Sequence, residues 1–478
     1  MKKMTTNEGS LQYVHSLNHH VEFFAKAGSI FDNNSSFYGN KEDIISLFRN
    51  AWDEDKEVAF KLLFHLRDCR GGSGNRSGFR KCLKWVAKND PEWVRLNIKL
   101  IPLYGRWDDL RTLFNTRVES AAVTLWANAL LSDDILAAKW AKRTDIPLYL
   151  RLKKSCDVHN MGDFRRFLSG RRMNHIVETK MCNKDWKYID YSSVPSVAMA
   201  RYSNAFRLHD EDGFNKFKEN IVSGEVKINA SVLFPHDCVR TVNRGDKDIA
   251  NAQFDALPNY MNGDESIMVL CDSSGSMEIK ISENSSVTAY DVSTSLALYC
   301  SGRLNKDNPF YKKFISFESE SKFIDWSDYT FSDCYEGRSD WGWGTPVFDG
   351  AVGSTRIDKA LDLLLNTGKC WEMPDDKMPK ILLICSDMQF SNGSDTTYTE
   401  VESCMVKWDD YGYSRPKIVY WNLNPYHGSP DTSESKDVAL VSGFSPSILK
   451  SILECDTDSF SPESIMMKAL EKYEILVP

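Results

Sequence analysis

Ile267-Met-Val-Leu-Cys is an uninterrupted apolar run that stops at Asp272 and turns at once into Ser-Ser274-Gly-Ser276. A run that short and that apolar, bounded by turn residues, is the pattern of a strand buried on both faces, as in parallel sheets covered by helices on either side. The Asp-x-Ser-x-Ser loop that follows sets one carboxylate and two hydroxyls on a single tight turn. Alone it reads equally well as a helix N-cap. With further oxygen donors it becomes a cage for a hard divalent cation. Mg²⁺ takes oxygen ligands in near-octahedral geometry and keeps several waters, so a site with few charged ligands leaves a position for an outside donor.

The remaining donors are expected on later loops, at strand ends along the same edge of a parallel sheet. Lys380-Ile-Leu-Leu-Ile-Cys-Ser-Asp387 is a second buried strand ending in a carboxylate. Gly353-Ser-Thr355 opens the amphipathic run Ile357, Ala360, Leu361, Leu363, Leu364, which puts the Thr355 hydroxyl at a helix N-terminus. Gly344-Thr345-Pro346 offers a second threonine in the same connection. Thr355 is preferred, because Thr345 precedes a proline and no helical pattern. Two carboxylates and three hydroxyls, with no histidine base and no evident nucleophile, suit gripping a partner's Asp or Glu. Phosphoryl chemistry asks for more clustered carboxylates, and the chain is read as a binding protein, not an enzyme.

Around this motif the pattern alternates. Strands are expected at 266–271, 313–318, 321–325, 380–386, 417–423 and 438–442, and helices at 286–303, 355–367, 397–408, 445–454 and 462–473. Such alternation means a mostly parallel, doubly wound sheet. Its long insertion, Trp326 to Gly350, carries Trp326, Trp341 and Trp343 among glycines and acids. An ordered aromatic loop is the simpler reading of it; a lid or partner surface is the other.

Before residue 243 the pattern is helical. An arm over 1–38 with one short helix near Val21–Ala27 precedes apolar stripes at helix spacing, such as Val58, Leu62, Leu63 and Leu66. Further helices are expected over 77–88, 91–102, 107–115, 119–131 and 133–141. Short helices on short turns without strands read as a stacked solenoid. Arg70-Gly-Gly-Ser-Gly-Asn-Arg-Ser-Gly78 follows a helix rather than a strand and lacks the Gly-Lys-Ser/Thr of a phosphate loop, so it is an interhelical turn.

Charge divides the same way. Residues 1–250 hold 40 Lys and Arg against 31 Asp and Glu, and the rest 19 against 36. A basic half points to a polyanion, or to docking on the chain's own acidic half. The densest stretch runs from Lys139 to Lys187, with 13 basic and 5 acidic residues. The candidates for RNA contact are Lys139, Lys142, Arg143, Arg151, Lys153, Lys154, Arg165, Arg166, Arg171, Arg172, Lys180 and Lys184, the paired arginines foremost. Trp140, Phe164, Phe167, Trp186 and Tyr188 lie among them. Cations neutralise phosphates and exposed rings stack on unpaired bases; the plainer reading is a solvated helical face over core aromatics.

No apolar run is long enough to span a membrane, and Met1-Lys-Lys-Met-Thr-Thr-Asn-Glu has no apolar leader segment. The 12 cysteines include no Cys-x-x-Cys and read as free thiols of a reducing cytoplasm.

Asp272, Ser274, Ser276, Thr355 and Asp387 together resemble the metal-ion-dependent adhesion site of von Willebrand factor A domains. The resemblance implies such a domain over 262–478, Mg²⁺ or another divalent cation as cofactor, and an acidic residue of a protein partner at the metal. Ala51-Trp52-Asp-Glu-Asp, Leu62-Leu-Phe-His-Leu-Arg67-Asp-Cys-Arg70-Gly-Gly, Tyr104-Gly-Arg-Trp-Asp-Asp-Leu110 and Val194-Pro-Ser-Val-Ala198 resemble a family of phages, bacteria and plants that joins a helical region to an A domain. More distantly, the layout is similar to the Ro autoantigen (TROVE) proteins, in which a ring of HEAT-like repeats is closed by the A domain. The Ro ring threads single-stranded RNA ends and binds small structured RNAs on its rim. These resemblances imply an α + α/β fold, with a HEAT-like α-solenoid over 39–255 able to form a ring, and RNA as partner. The competing expectation is a metal-dependent protein-binding scaffold.

Overall fold

The computed structural model describes residues 2–30, 43–172, 176–228, 230–261, 266–281, 285–336, 347, 353–391, 399–455 and 460–475. A two-stranded hairpin, β1 (Lys3–Thr5) and β2 (Leu11–Tyr13), opens the chain. Helices follow: α1 (His19–Ala27), α2 (Ile44–Glu54), α3 (Lys56–Arg67), α4 (Arg76–Asn89), α5 (Pro91–Asn97), α6 (Leu100–Tyr104), α7 (Glu119–Leu131) and α8 (Ile135–Trp140). After them come α9 (Ile146–Lys153), α10 (Met161–Arg172), α11 (Val177–Cys182), α12 (Ser196–His209), α13 (Glu211–Val222), α14 (Pro235–Val242) and α15 (Lys247–Asp255).

The remainder alternates: β3 (Ile267–Asp272), α16 (Ala289–Gly302), β4 (Lys313–Phe317), β5 (Ser321–Asp325), α17 (Ile357–Cys370) and β6 (Ile381–Ser386) come first. They are followed by α18 (Glu400–Asp410), β7 (Lys417–Asn422), β8 (Val438–Ser442), α19 (Ile448–Leu453) and α20 (Pro462–Leu470). The six strands form one sheet in the order β5-β4-β3-β6-β7-β8. β4 and β5 pair antiparallel, and the other neighbours run parallel. The class is therefore a helical region followed by a mostly parallel α/β unit. The order reverses at β3 and β6, so the crevice beyond their carboxyl ends is the place where an open sheet of this kind takes its ligands.

β3 is buried along its whole length and pairs with β6 from Ile267↔Ile381 to Cys271↔Cys385. α16, also buried along most of its length, lies across this centre. Its hydroxyls are satisfied locally: Ser293 donates to the Cys385 carbonyl at 3.0 Å and Thr294 to the Tyr290 carbonyl at 2.9 Å.

The helical region departs from expectation in two places. The single helix expected over 91–102 is split into α5 and α6, where Asn97 turns its side chain back onto the Trp93 carbonyl at 2.9 Å. The stretch 107–115 is a 3-10 turn over Trp107–Leu113, tightened by Asp109, which accepts the Arg106 amide at 2.9 Å.

Helical region and sheet meet along two seams. In the first, α1 packs on β8, Ser442 donates to the Phe24 carbonyl at 2.6 Å, and Tyr473 donates to Asp68 at 3.0 Å. In the second, α14 packs on α16, Phe254 stacks on Phe331 with ring centres 4.2 Å apart, and Lys247 pairs with Glu336 at 2.6 Å. One hydrophobic core runs continuously from α1 through α10 into the sheet, and a separate one joins α11, α12 and α13 with Ile249. Among the described residues no helix is long and apolar enough to cross a membrane, and the twelve cysteines are free thiols.

Candidate metal centre and basic helical face

The carboxyl ends of β3 and β6 bring four of the expected donors together. The Asp272 carboxylate accepts the Ser274 amide at 2.9 Å on one oxygen and the Ser386 hydroxyl at 2.5 Å on the other. The Ser274 and Ser276 hydroxyls stand 3.1 Å apart, and the Gln389 amide donates to Asp387 Oδ1 at 3.1 Å. Met388, between them, takes φ 63°, a left-handed backbone that a long side chain rarely adopts. That turn carries the chain back across the sheet end, its amide held by the Ser386 hydroxyl at 3.0 Å.

Thr355 arrives from the other side. Gly353 precedes it with φ 77°, and a Cβ there would meet Ser319 Oγ at 2.4 Å, so only glycine allows this approach. The Thr355 carbonyl accepts the Ser391 amide at 2.9 Å. Thr345, Trp341 and Trp343 lie outside the described residues. Trp326 is buried and donates to Ser301 Oγ at 3.0 Å, which makes it a core residue.

Two atoms of this site are orphaned. Thr355 Oγ1 and Asp387 Oδ2 are buried with no hydrogen-bond partner, in residues that are 0% exposed. Native interiors leave few such groups unpaired, and a carboxylate oxygen least of all. Burial raises the pKa of both Asp272 and Asp387, and anionic neighbours add to it: Glu8 on Asp272, Asp272 and Glu8 on Asp387. Among the described residues no three His, Cys, Asp or Glu side chains gather tightly enough to hold an ion by themselves. Any cation here would therefore lean on the hydroxyls of Ser274, Ser276 and Thr355 beside the two aspartates. That is the all-oxygen set a hard divalent ion accepts.

Three further residues belong to the site and had no signal in the local sequence. Ser386 holds Asp272. Glu8, at the tip of the β1–β2 hairpin, accepts the Thr355 amide at 3.0 Å and the Ser391 hydroxyl. Ser391 ties the two together.

On the helical region, Lys142, Arg143, Lys153, Lys154, Arg165, Arg166 and Lys184 are exposed, while Lys139, Arg151, Arg171, Arg172 and Lys180 are partly covered. Arg171 and Arg172 serve the fold. Arg171 donates to the Leu130 carbonyl at 2.7 Å and lies over the Phe167 ring, and Arg172 donates to the Ala138 carbonyl at 2.7 Å and to that of Ala141. Both close the carbonyl ends of α7 and α8, a favourable place for a cation. Burial, then the Arg143 charge, holds the Arg172 pKa down. Lys139 pairs with Glu178 at 3.3 Å, Arg166 with Asp163 at 2.5 Å, and Lys180 donates to the Tyr188 carbonyl at 2.7 Å. Of the interleaved rings, Phe164 is core, Trp140 lies under Arg106, Trp186 stacks on His209, and Tyr188 is 76% exposed.

A second cationic feature went unread in the sequence. Arg201, Arg240 and Arg244 line a cleft between α12, α14 and α15 with Thr241 and Gln253. Burial, then the charges of Arg240 and Arg201, lowers the Arg244 pKa. Asp237 lines the same cleft and pairs with Arg240 at 3.0 Å, so the cationic surplus lies with Arg201 and Arg244.

A family model described as a domain of unknown function (DUF2828) matches residues 6–144 and 162–270. A second, described as a domain of unknown function (DUF7788), matches residues 265–474. The uncharacterized protein L728 of Acanthamoeba polyphaga mimivirus is 26% identical over 499 residues, covering 90% of this chain and 82% of that protein. The crystal structure of the Deinococcus radiodurans RO (RSR) protein aligns over 95% of this chain and 99% of its own, at TM-score 0.45 and 11% identity.

Proposed function

The chain belongs to the DUF2828 family, and we propose that it is an RNA-binding protein of Ro-like layout that acts by binding rather than catalysis. Its helical region offers a basic face to single-stranded or structured RNA. Its α/β unit is a von Willebrand A-type domain in which Asp272, Ser274, Ser276, Thr355 and Asp387 hold Mg²⁺ or a similar divalent cation.

The observation that carries the RNA reading is the solvent-facing set on and around α9 and α10. Lys142, Lys154, Arg165 and Lys184 form no ion pair among the described residues, and Lys153 lies beside them over the Tyr149 ring. These charges are free to meet phosphates. Fluorescence anisotropy of a labelled unstructured RNA tests it. Affinity should fall steeply between about 50 and 200 mM salt, as counterion release requires. Absence of binding at the lower salt would end the reading.

A protein-binding scaffold is the second reading, favoured by exposed apolar side chains on α8 and α9. Leu136 and Ile146 are each 60% exposed and Leu150 51%. Protein partners recovered with the purified chain in place of nucleic acid would decide for it. Metal-dependent RNA cleavage lost in Asp387→Ala would instead make the chain an enzyme.

A further inference from the structure

The turn at the tip of the N-terminal hairpin is built to deliver one side chain. Thr6 closes it, its hydroxyl accepting the Ser10 amide at 3.0 Å, and Gly9 supplies φ 98°. The tip is then clamped to the loop after β6. Thr6 Oγ1 donates to the Phe390 carbonyl at 2.7 Å, the Asn7 amide to Gln389 Oε1 at 3.0 Å, and Gly9 bridges Ser391. The arms are fixed separately: Tyr13 exchanges backbone bonds with Ser429 at 2.9 and 2.8 Å and donates its hydroxyl to Glu402 at 2.8 Å. Between these anchors, Glu8 is set against Thr355 and Ser391, next to two buried aspartates.

That placement brings a third carboxylate toward the two aspartates. Glu8 acts through its negative charge on both Asp272 and Asp387, and like charges this near oppose one another. Both hydrogen bonds to Glu8 fall on Oε2, and the residue is half-buried, so Oε1 is not consumed by them. Thr355, whose amide Glu8 accepts, carries an orphaned Oγ1, and Asp387 an orphaned Oδ2. Two buried oxygens without a partner, one of them on the residue whose amide Glu8 holds, are what a bound cation would resolve.

We propose that Glu8 is an internal ligand of the sheet-end cation: the N-terminal hairpin supplies, from within the chain, the acidic oxygen that a separate partner would otherwise bring. The proposal rests on the metal reading given above. It makes the cation a clasp between the first residues of the chain and the β3–β6 edge. An outside carboxylate reaches the metal only by displacing Glu8.

The test uses full-length protein and Mn²⁺ alone as probe, with binding followed by the paramagnetic signal of the free ion and hairpin order by hydrogen exchange of residues 5–13. Wild type should bind one Mn²⁺ and slow exchange at the hairpin when it does. Glu8→Gln, which keeps the size of the side chain and lies outside the proposed aspartate and hydroxyl set, should weaken binding at least about tenfold. It should also abolish the metal-dependent slowing. If wild type and Asp387→Ala both fail to bind, the metal reading falls and takes the proposal with it. If wild type binds, Asp387→Ala does not, and Glu8→Gln matches wild type in affinity and exchange, the metal reading stands and the internal ligand is refuted.

Discussion

Arg67 and Asp109 meet at 2.8 Å where both are buried. Arg80 approaches the other Asp109 oxygen at 2.7 Å, so cations from α3 and α4 close on one carboxylate in the turn before α7. Gly105 has no room for a side chain there, since a Cβ would stand 2.5 Å from the same carboxylate. Asp109→Ala should cost about 3–5 kcal/mol, because it strands a buried guanidinium. Replacing the pair together, Arg67→Met with Asp109→Leu, should cost less than the single change. Urea unfolding midpoints measure both.

Divalent cation should stabilise the fold through the β3–β6 edge. At roughly a hundred times its dissociation constant, a ligand of the native state alone adds about 2.7 kcal/mol. Differential scanning fluorimetry should show a rise in Tm with Mg²⁺ for wild type and none for Asp272→Ala or Asp387→Ala. In the absence of metal Asp387→Ala should be no less stable than wild type, since it removes a buried carboxylate oxygen that has no partner.

Two histidines sit in the two seams. His65 packs on Phe24 and Tyr473, facing Lys472 and Asp68; burial, then Lys472, pushes its pKa down to about 3, against the pull of Asp68. His236 packs on Phe444, near Asp237 and Arg240, and burial lowers it to about 4. The unfolded chain takes up these protons near pH 6.5 and the folded chain only well below it. Stability should therefore fall as pH drops from about 6.5 toward 4, by up to about 1.4 kcal/mol per pH unit for each histidine. His65→Gln should flatten that slope in denaturation midpoints taken at pH 7 and pH 5.

The arginines of α10 should separate by role. Arg165→Ala with Lys154→Ala should weaken RNA binding and lower the salt slope by about 0.7 for each lost contact to single-stranded RNA, with Tm unchanged. Arg172→Ala should instead lower Tm, by removing the donor to the Ala138 and Ala141 carbonyls. Anisotropy and scanning fluorimetry on the same samples distinguish the two.

The sheet was legible because β3, β6 and β7 are uninterrupted apolar runs that end in polar turns, and a central parallel strand has little freedom to read otherwise. Asp272, Ser274, Ser276 and Asp387 were legible for the same reason: they follow those runs directly. Glu8 and Ser391 were not, since their contact spans 383 residues and depends on how a terminal hairpin lands. The basic stretch was legible as charge but not as use. A count of arginines cannot tell Arg165, which faces solvent, from Arg172, whose guanidinium is consumed by helix carbonyls. The same holds for the motifs around Arg67 and Asp109, whose glycine and charges turn out to serve packing.

The hydrogen bond from Thr6 to Phe390 joins residues 384 positions apart. A ribosome adding about 5–20 residues per second therefore needs roughly 20–80 s to make the second half of that bond after the first has emerged. Through that interval the hairpin has no sheet to lie on. Fragments that begin at β3 would lack it altogether and leave the Gln389–Ser391 loop bare, so the smallest autonomous piece of the α/β unit is discontinuous in the chain.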